Sequence, residues 1–450
     1  MSPPDLPPVP PNRCASYQTS KKRYCKGRPL PPSLYCGNHK HLDFDEKEYV
    51  ECPIGCGNVF MKQSLAKHKK VCNKMRMLQE LQSQPYYSLG INLPSLLPSP
   101  PSSPLPPSSY VPLALQIRSI SLSLPPLTSL PPPPSPPPSS PFLTSKIPLG
   151  TQKHITQIDS LTHTILPLLP TSPHIIEYGS GRGMLGLVLS GTMRRSVELT
   201  LIERGTSRRQ ADKFPERDRI DVKIKRLRVD VEDVDMCVVC GEGRTGVVAK
   251  HLCGRGTDVA LRASLRIKDL EGLGMATCCH GVCEWEVLCG RESLGKAFKK
   301  VGGGFGKEVF EVMKKWTGAL TADDSEKSVN RDRSNEEEGG NPHKEHIKMK
   351  EKEDGIPGAG QICQDERINF TKQQLGRWCQ RLIDWGRMEW VKENLGLEGG
   401  WGTYVGEDVS PQNCLIWGKR KAGEEAKIEG NEERVEGNEE RQGKRQKQNL

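Results

Sequence analysis

Lysine, histidine, cysteine and aspartate side chains gather in one short segment, residues 250–258. This segment follows the apolar run 247–249 and turns through two glycines. Farther along, a second apolar run ends in Cys278, Cys279 and His280. In open α/β sheets, ligands bind outside the carboxyl ends of the strands. We therefore expect these two segments to form part of one active site.

A glycine-rich loop earlier in the chain is a candidate cofactor site. Its acidic residue and glycines are Glu177, Gly179, Gly181 and Gly183. Glycine lets the backbone turn tightly and approach a ligand closely. The dinucleotide fingerprint places its third glycine three residues after the second, whereas the third glycine here comes two residues after. The spacing is similar to motif I of Rossmann-like S-adenosylmethionine-dependent methyltransferases.

Two acidic residues extend this cofactor prediction. Glu203 ends the next predicted strand, where a carboxylate accepts hydrogen bonds from ribose hydroxyls. Asp230 ends the strand after that, at the position where such enzymes commonly contact adenine. Each acid alone is equally compatible with a solvated strand end. Their order and spacing after the glycine loop favour the cofactor interpretation.

The amino-terminal region carries a first candidate zinc site. Its ligands have the spacing C-x10-C-x10-C-x2-H and are Cys14, Cys25, Cys36 and His39. Zinc takes four such ligands tetrahedrally, and small modules of this kind fold around the metal. Arginines and lysines crowd the stretch 13–40, which contains no acidic residue. We predict a CCCH-type zinc finger over residues 13–41 that can contact nucleic acid.

A second candidate zinc site follows at residues 50–74. Its predicted ligands have the spacing C-x3-C-x11-H-x3-C and are Cys52, Cys56, His68 and Cys72. The segment 64–71 has helical character, which places His68 and Cys72 on one face. We predict two structural zinc ions in the chain, one for each site.

The elements that position the candidate site belong to residues 151–418. Apolar runs predict strands at 174–179, 197–203, 224–231, 246–252 and 272–279, separated by segments that fit helices. This alternation predicts a parallel α/β sheet. Residues 374–391 fit a helix and 413–417 a last strand.

Much of the remaining chain has the composition of disordered protein. Only 35% of the 450 residues are hydrophobic, and 37 are proline. We predict a Pro/Ser-rich disordered linker at 84–150, a charged insertion at 320–360 and a charged tail at 419–450. The net charge of +10 favours an anionic partner. Neither a secretory signal nor a membrane span is evident, so we expect an intracellular protein, in the nucleus, the cytoplasm or both.

Together these motifs resemble one family, the eukaryotic tRNA 2′-O-methyltransferases that modify position 4 of the acceptor stem. The resemblance lies in both fingers, the glycine loop, 201–204, the KHLCG-x-x-TD segment at 250–258, the CCH-x-x-C segment at 278–283, and 376–387. It implies a Rossmann-like sheet that uses S-adenosylmethionine, two zinc modules and a tRNA substrate. Because the sequence has no apolar run long enough to span a bilayer, we expect no membrane association, and we infer no obligate protein partner.

Within this resemblance, four residues are the catalytic candidates, namely Lys250, His251, Asp258 and His280. A ribose hydroxyl is a weak acid, so its methylation needs a base or a nearby cation. We expect Lys250 or His251 to activate or position the hydroxyl and Asp258 to orient it. A structural role is at least equally compatible with each residue alone.

Two features depart from the family pattern or stay open. The first histidine of the second finger would fall near Asn58, so Cys56 must substitute as ligand or that site is incomplete. The other cysteines at the strand ends either form a third metal site with His280 or pack as small apolar groups. These cysteines are Cys253, Cys278, Cys279 and Cys283.

Two other functions compete with this one. A non-catalytic zinc protein that binds RNA, with a degenerate methyltransferase domain, would share the fingers. The intact glycine loop argues against such decay. A methyltransferase acting on protein or on another RNA would share the sheet, and the fingers with the 250–258 segment argue against it.

Overall fold

The structure is a computed structural model that describes residues 8–18, 23–31, 33–37, 39, 42, 49–95, 103–129, 152–193, 195–205, 221–250, 252–320 and 356–421. Among these residues, one compact unit ends at Pro85 and a second begins at Tyr86. No helix in the described part of the chain combines the length and apolar character needed to cross a membrane.

Among its described residues, the first unit holds two short pairs of antiparallel strands and two helices. Strand β1 (Tyr17–Gln18) pairs antiparallel with β2 (Arg23–Tyr24), and β3 (Tyr49–Glu51) with β4 (Val59–Met61). Helices α1 (Leu65–Val71) and α2 (Asn73–Gln82) follow. Helix α1 confirms the helical segment predicted around His68.

The second unit is built on one eight-stranded sheet. Its elements in chain order are α3 (Tyr110–Ser123), β5 (Thr128–Ser129), α4 (Gln152–Ile165), β6 (His174–Tyr178), α5 (Met184–Thr192), β7 (Val197–Ile202), β8 (Val222–Leu227), α6 (Met236–Val239), β9 (Thr245–Lys250), α7 (Arg255–Ser264), β10 (Leu270–Ala276), α8 (Arg291–Lys300), α9 (Lys307–Trp316), α10 (Ala359–Ile362), α11 (Lys372–Leu395), β11 (Glu398–Thr403) and β12 (Cys414–Lys419).

The strand order is β5-β11-β12-β10-β9-β6-β7-β8. Strands β10, β9, β6, β7 and β8 are parallel, and β12 runs antiparallel to both of its neighbours. This confirms the predicted α/β sheet. After β6 the chain places β7 on one side of β6, and it later places β9 on the other side of β6. The point where the direction reverses, between β6 and β9, is where such sheets bind ligands.

Two apolar cores hold the sheet and its helices. Helices α4 and α5 pack with the parallel strands through buried side chains such as Leu161, Leu187 and Leu199. A second core joins α3, α8, α9 and α11 around Phe298 and Trp316. Both cores therefore lie in the second unit and fix the strands whose ends carry the candidate site.

The prediction of a disordered linker over 84–150 is wrong where the structure describes it. Helix α3 buries apolar residues at helical spacing, among them Tyr110, Ala114 and Ile117. Pro112 lies in the first turn of this helix, where a missing N–H costs no hydrogen bond. The many prolines around this segment indicated disorder by composition, although the segment itself has apolar residues at helical spacing. Residues 130–150 lie outside the described residues.

An earlier part of the same supposed linker is also ordered. Tyr87 forms an antiparallel bridge with Val234, in the loop that follows β8. The Asn92 side-chain amide donates to the carbonyls of Val231 and Val234 at 2.7 and 2.8 Å. These backbone contacts depend on residues distant in sequence, so composition could not predict them.

Both charged segments begin or end differently from the prediction. Ile356 and Pro357, inside the predicted insertion, are packed against the fold, and their carbonyls accept hydrogen bonds from Lys315 and Trp316. Strand β12 continues to Lys419, and Arg420 binds Asp269 at 2.6 Å. The rest of both predicted segments, 321–355 and 422–450, lies outside the described residues.

Strand β11 was not predicted from the sequence. Its residues include Gly399, Gly400 and Gly402, and glycine is unfavourable in strands. A β-carbon on Gly400 would lie 2.4 Å from the Trp417 ring, so glycine is needed for that close approach. Packing against β12 therefore overrides the low strand propensity.

Candidate active site and metal-ligand clusters

The glycine loop after β6 has the conformation that its glycines predict. Gly179, Gly181 and Gly183 have φ values of 58°, 49° and 80°, which are unfavourable for other residues. A β-carbon on Gly179 would lie 2.7 Å from Leu252, and one on Gly183 would lie 2.6 Å from Leu201. No atom of the described residues lies within 4 Å of a β-carbon built on Gly181. The loop thus packs at both ends and opens to a ligand in the middle.

Glu177, in strand β6, is buried behind the glycine loop and contacts the helix that follows it. It is only 3% exposed, and its carboxylate accepts a hydrogen bond from the Gly186 N–H at 2.8 Å. Burial raises the pKa of Glu177 to about 8, against the opposing effect of that N–H and of the Arg226 and Lys250 charges. Glu177 therefore holds helix α5 against β6.

Glu203 lies at the open side of the loop. Its carboxylate accepts hydrogen bonds from the N–H groups of Gly181 at 2.9 Å and Gly205 at 2.7 Å. A carboxylate has about four acceptor positions, so capacity remains for two ribose hydroxyls. Its placement directly after β7 fits the predicted ribose-binding role.

Asp230 lies three residues beyond the end of β8 rather than at the strand end itself. One carboxylate oxygen accepts the Glu232 N–H at 3.3 Å, and the other lies 3.4 Å from an Arg204 nitrogen. The side chain is about one-third exposed. It therefore remains accessible at the same edge of the sheet as Glu203.

Lys250 ends β9, next to the strand that carries the glycine loop. Its Nζ lies 3.4 Å from Nδ1 of His154 on α4. Burial lowers the pKa of Lys250 to about 8, although the nearby Glu177 and Cys278 oppose the shift. An amine with such a pKa is partly neutral near physiological pH and can accept a proton.

A cavity of about 80 Å³ opens beside Lys250. It is lined by Lys250, Ala276, Thr277, Cys278, Cys279, Tyr404, Ser410 and Gln412. Such a volume suits a small group rather than a whole nucleotide, since ligand pockets usually exceed about 300 Å³. Residues at the carboxyl ends of β9 and β10 thus line one small cavity.

Asp258 has a different role from the predicted one. It is fully buried, and its carboxylate binds the Arg387 guanidinium at 2.6 and 3.1 Å and the Cys289 N–H at 2.9 Å. The ion pair between Asp258 on α7 and Arg387 on α11 therefore holds these two helices together. The structure therefore contradicts the expectation that Asp258 orients the acceptor hydroxyl.

His280 likewise belongs to a buried network. It is 2% exposed, and its Nε2 lies 2.9 Å from an Asp384 oxygen. The other Asp384 oxygen accepts the Thr277 hydroxyl at 2.8 Å, and Arg387 binds Asp384 at 3.1 Å. Burial alone would raise the pKa of Asp384, but His280 and Arg387 hold it below its ordinary value. His280 thus anchors its loop to α11 instead of facing the cavity.

Asp258, His280, Asp384 and Arg387 together form what we call the buried ion network. Sequence reasoning missed Asp384 and Arg387 as site residues, although both lie in the segment that carried the resemblance. It also missed His154, because a lone histidine in a helix gives no signal. Of the other catalytic candidates, His251 lies outside the described residues.

The strand-end cysteines separate into two groups. The Sγ atoms of Cys253, Cys278 and Cys279 lie within 4.8 Å of one another. The Cys283 thiol instead accepts from the Arg387 guanidinium at 3.2 Å. The fold therefore brings three of the four cysteines together, whereas Cys283 contacts the buried ion network through Arg387.

The four predicted ligands of the first finger converge. Nδ1 of His39 lies 3.3 Å from the Cys14 sulfur and 3.4 Å from the Cys36 sulfur, and the Cys25 and Cys36 sulfurs are 3.9 Å apart. The edges of a tetrahedral zinc site are about 3.5 Å for S···N and 3.8 Å for S···S, given Zn–S and Zn–N lengths of about 2.3 and 2.0 Å. The distances fit a zinc ion.

Cys56 lies with the other three predicted ligands of the second finger. Nε2 of His68 lies 3.3 Å from the Cys52 sulfur and 3.4 Å from the Cys56 sulfur, and Cys72 completes the group. Phe60 stacks on the His68 ring with centroids 3.9 Å apart, which fixes the ring. Asn58 donates to the Cys56 sulfur, so it supports a ligand and does not replace one.

Comparisons with known proteins match this arrangement. Residues 156–419 match the family described as "Methyltransferase TRM13", and residues 12–40 match "CCCH zinc finger in TRM13 protein". A human protein named "tRNA:m(4)X modification enzyme TRM13 homolog" is 25% identical, over 90% of this chain and 94% of its own length. The Saccharomyces cerevisiae "tRNA:m(4)X modification enzyme TRM13" is also 25% identical, over 90% and 95%.

Among solved structures, coclaurine N-methyltransferase bound to N-methylheliamine and SAH is similar over 40% of this chain and 54% of its own. The TM-score is 0.25 and the identity 15%. This overlap is too slight to bear on function.

Proposed function

Because the chain belongs to the TRM13 methyltransferase family, we propose that it methylates tRNA at the ribose 2′-hydroxyl of position 4 in the acceptor stem, with S-adenosylmethionine as donor. The observation that carries this proposal is the adjacency of two features at the switch point of the sheet. The open glycine loop follows β6, and Lys250 with its cavity ends the neighbouring strand β9.

The donor side is formed by residues that leave room for the cofactor. S-adenosylmethionine, when bound, supplies a methyl group on a positively charged sulfur. Gly181 presents backbone without a side chain, Glu203 accepts from the ribose hydroxyls and Asp230 accepts from the adenine amine. The open face of Gly181 and the acceptor capacity left on Glu203 support this assignment.

The acceptor side is formed by Lys250. Its amine accepts the proton of the ribose hydroxyl, and its depressed pKa gives it a neutral fraction for that step. His154, 3.4 Å away, then passes the proton toward solvent. Alignment of the acceptor oxygen with the methyl group supplies much of the remaining rate enhancement.

The two fingers hold the RNA. We propose one structural zinc ion in each, bound by the ligand groups described above. The first finger also has a groove of about 270 Å³ lined by Pro10, Arg13, Arg23, Tyr24 and Lys26. Three cations in one groove attract phosphates without reading sequence. An acceptor stem is recognised mainly by shape and by its 2′-hydroxyls, which suits such a groove.

The names of the relatives support tRNA as the substrate, and position 4 as the modified nucleotide rests on the family resemblance. The 2′-oxygen as methyl acceptor rests on the family resemblance. An intracellular location, nuclear or cytoplasmic, and the domain boundaries stay predictions.

One labelling experiment tests the proposal. The full chain is incubated with methyl-labelled S-adenosylmethionine and unmodified tRNA, and the RNA is then digested with alkali. A 2′-O-methyl group blocks alkaline cleavage, so we expect the label in a dinucleotide that contains position 4. The matched control is the same tRNA with a 2′-deoxynucleotide at position 4, which should take no label.

The outcomes separate the competing functions. Label on the deoxy control places the methyl group elsewhere and overturns the 2′-oxygen as acceptor. RNA binding with no labelled product supports the non-catalytic alternative instead. Label recovered in protein supports a protein methyltransferase.

A further inference from the structure

Three cysteines at the acceptor side have no part in the function proposed above. Cys253 follows β9, and Cys278 and Cys279 follow β10, the neighbouring parallel strand. The Cys253 and Cys278 sulfurs are 3.4 Å apart, and all three sulfurs lie within 4.8 Å of one another. Chance packing of small apolar side chains does not require all three sulfurs to converge.

We propose that Cys253, Cys278 and Cys279 form a third metal site, which binds a soft divalent cation of the zinc class. Three thiols lose their protons to the solvent as three thiolate–metal bonds form. Thiolates are preferred ligands of zinc, and sulfurs on a tetrahedral zinc ion lie about 3.8 Å apart. The spacing in this cluster, which we call the three-cysteine cluster, is similar to that of the first finger.

The backbone is bent so that the two consecutive cysteines reach one point. Successive side chains of an extended chain point to opposite sides. Cys279 breaks that alternation with φ 49° and ψ 47°, a left-handed conformation uncommon for residues other than glycine. Its N–H donates to the Gln412 side chain at 2.8 Å, which holds the bend. Unfavourable backbone of this kind is usually found where function requires it.

The loop that carries Cys253 is held against the same bend. Gly254 has φ 54°, and its N–H donates to the Cys278 carbonyl at 3.3 Å. A β-carbon on Gly254 would lie 2.5 Å from the Val282 carbonyl oxygen, so the two loops touch backbone to backbone. The ligand positions are therefore set by packing, as a preformed metal site requires.

Among the described residues, the neighbouring His280 and Cys283 have partners elsewhere, which leaves three protein ligands in this cluster. His280 binds Asp384 at 2.9 Å, and Cys283 binds Arg387 at 3.2 Å. Cys253 is exposed, so water can supply the fourth ligand. The metal would link the loop after Lys250 to the loop that lines the cavity, and so hold the acceptor side together.

Metal content per chain tests this proposal. The full-length protein is purified under reductant, and zinc is measured by mass spectrometry for the native chain, Cys253→Ser and Cys279→Ser. We expect each variant to hold one equivalent less than the native chain, whether or not each finger is fully loaded. Cys237→Ser is the matched control, because Cys237 is exposed and outside all three clusters. It should hold the native amount.

Cobalt replacement gives an independent measurement. The three clusters contain nine cysteine ligands, three in each. Loss of the three-cysteine cluster should therefore remove about one third of the thiolate-to-cobalt absorption. Cys253→His should retain the third ion, because imidazole also binds zinc. This variant separates a ligand role from a packing role.

Unchanged metal content in Cys253→Ser and Cys279→Ser overturns the proposal. A disulfide between Cys253 and Cys278 would also overturn the proposal. In that case, native protein denatured without reductant would show no thiol labelling at these two cysteines, and its metal content would be the same as that of the variants. Metal content does not depend on methyl transfer, so failure here and failure of the proposed function are distinguishable. Binding of S-adenosylmethionine and thermal melting report whether each variant is folded.

Discussion

The two sides of the candidate active site are held in different ways. The cofactor side is held by local backbone, with three left-handed glycines and a carboxylate nine residues before the N–H that it accepts. The acceptor side is held by the buried ion network, whose partners are distant in sequence. His280 and Asp384 lie 104 residues apart, and Asp258 and Arg387 lie 129 residues apart. A local loop tolerates changes elsewhere in the fold, whereas the network joins α7, α11 and the loop after β10. The acceptor side should therefore be the more sensitive to distant substitutions.

Replacing Lys250 tests whether the acceptor side supplies the base. We expect Lys250→Met to lower kcat by about 10²–10⁴-fold, the usual contribution of a general base, and to leave the affinity for S-adenosylmethionine unchanged. Lys250→Arg keeps the charge but cannot release a proton, so it should be as inactive as Lys250→Met. An active arginine variant would assign Lys250 an electrostatic role only. Single-turnover kinetics on tRNA make the measurement.

Removing Arg387 tests the buried ion network itself. Arg387→Leu leaves the buried Asp258 carboxylate without its cation and leaves Asp384 with His280 alone as a partner of opposite charge. We expect a loss of about 3–5 kcal/mol in the free energy of unfolding, measured with denaturant. Arg377→Leu is the matched control, because Arg377 pairs with Glu407 at the surface of the same helix and should cost about 1 kcal/mol or less. Equal losses in the two variants would contradict the importance of the network.

Two alanine substitutions compare the loops directly. Gly181 and Gly254 both have positive φ, so alanine is strained at either position, and the ψ of −119° at Gly254 adds to that strain because glycine alone adopts this region readily. A β-carbon meets open space at Gly181 but the Val282 carbonyl at Gly254. We expect Gly254→Ala to destabilise the fold more than Gly181→Ala. Gly181→Ala should mainly weaken cofactor binding, measured by calorimetry. Unchanged cofactor binding in Gly181→Ala would mean that the glycine loop does not face the cofactor.

The pH profile of kcat sharpens the assignment of the base. Burial lowers the pKa of Lys250 to about 8, so the ammonium form predominates below that pH and cannot accept a proton. We expect kcat to rise about tenfold per unit up to about pH 8 and then to level off. The groups that face Lys250 are Glu177, His154 and Cys278.

Glu177→Gln gives the control for this profile. The negative charge that Glu177 carries as it ionises near its own pKa of about 8 raises the pKa of Lys250, so Glu177→Gln should move the profile to lower pH. A profile that stays in place would show that Lys250 does not govern it. Glutamine keeps an acceptor for the Gly186 N–H, so the loop itself should remain intact.

The smallest expected effect concerns the first finger, which lies outside both sides of the active site. Neutral substitutions at Arg13 and Lys26 should weaken tRNA binding while kcat at saturating tRNA stays unchanged. For each cation that binds a phosphate, its removal should lower the slope of log affinity against log salt by about one. Binding titrations at several salt concentrations measure this slope. An unchanged slope would show that the groove does not bind the RNA.

Sequence reasoning succeeded where the information was local. The five parallel strands and helix α11 were predicted from apolar spacing, with shifts of a few residues at their ends. It failed for α3, because the surrounding prolines outweighed the apolar stripe from Tyr110 to Ile120. It also failed for the glycine-rich strand β11, which depends on packing against Trp417.

By itself, the sequence determined the residue types at the three kinds of site: zinc ligands at fixed spacing, glycines in the cofactor loop, and reactive side chains at two strand ends. These are properties of short segments, and short segments carry their own geometry. Tertiary structure decided which of those side chains face the cavity. It placed Lys250 beside the cavity and committed Asp258 and His280 to α11, because a buried carboxylate or imidazole takes whichever partner the packing brings within hydrogen-bonding distance.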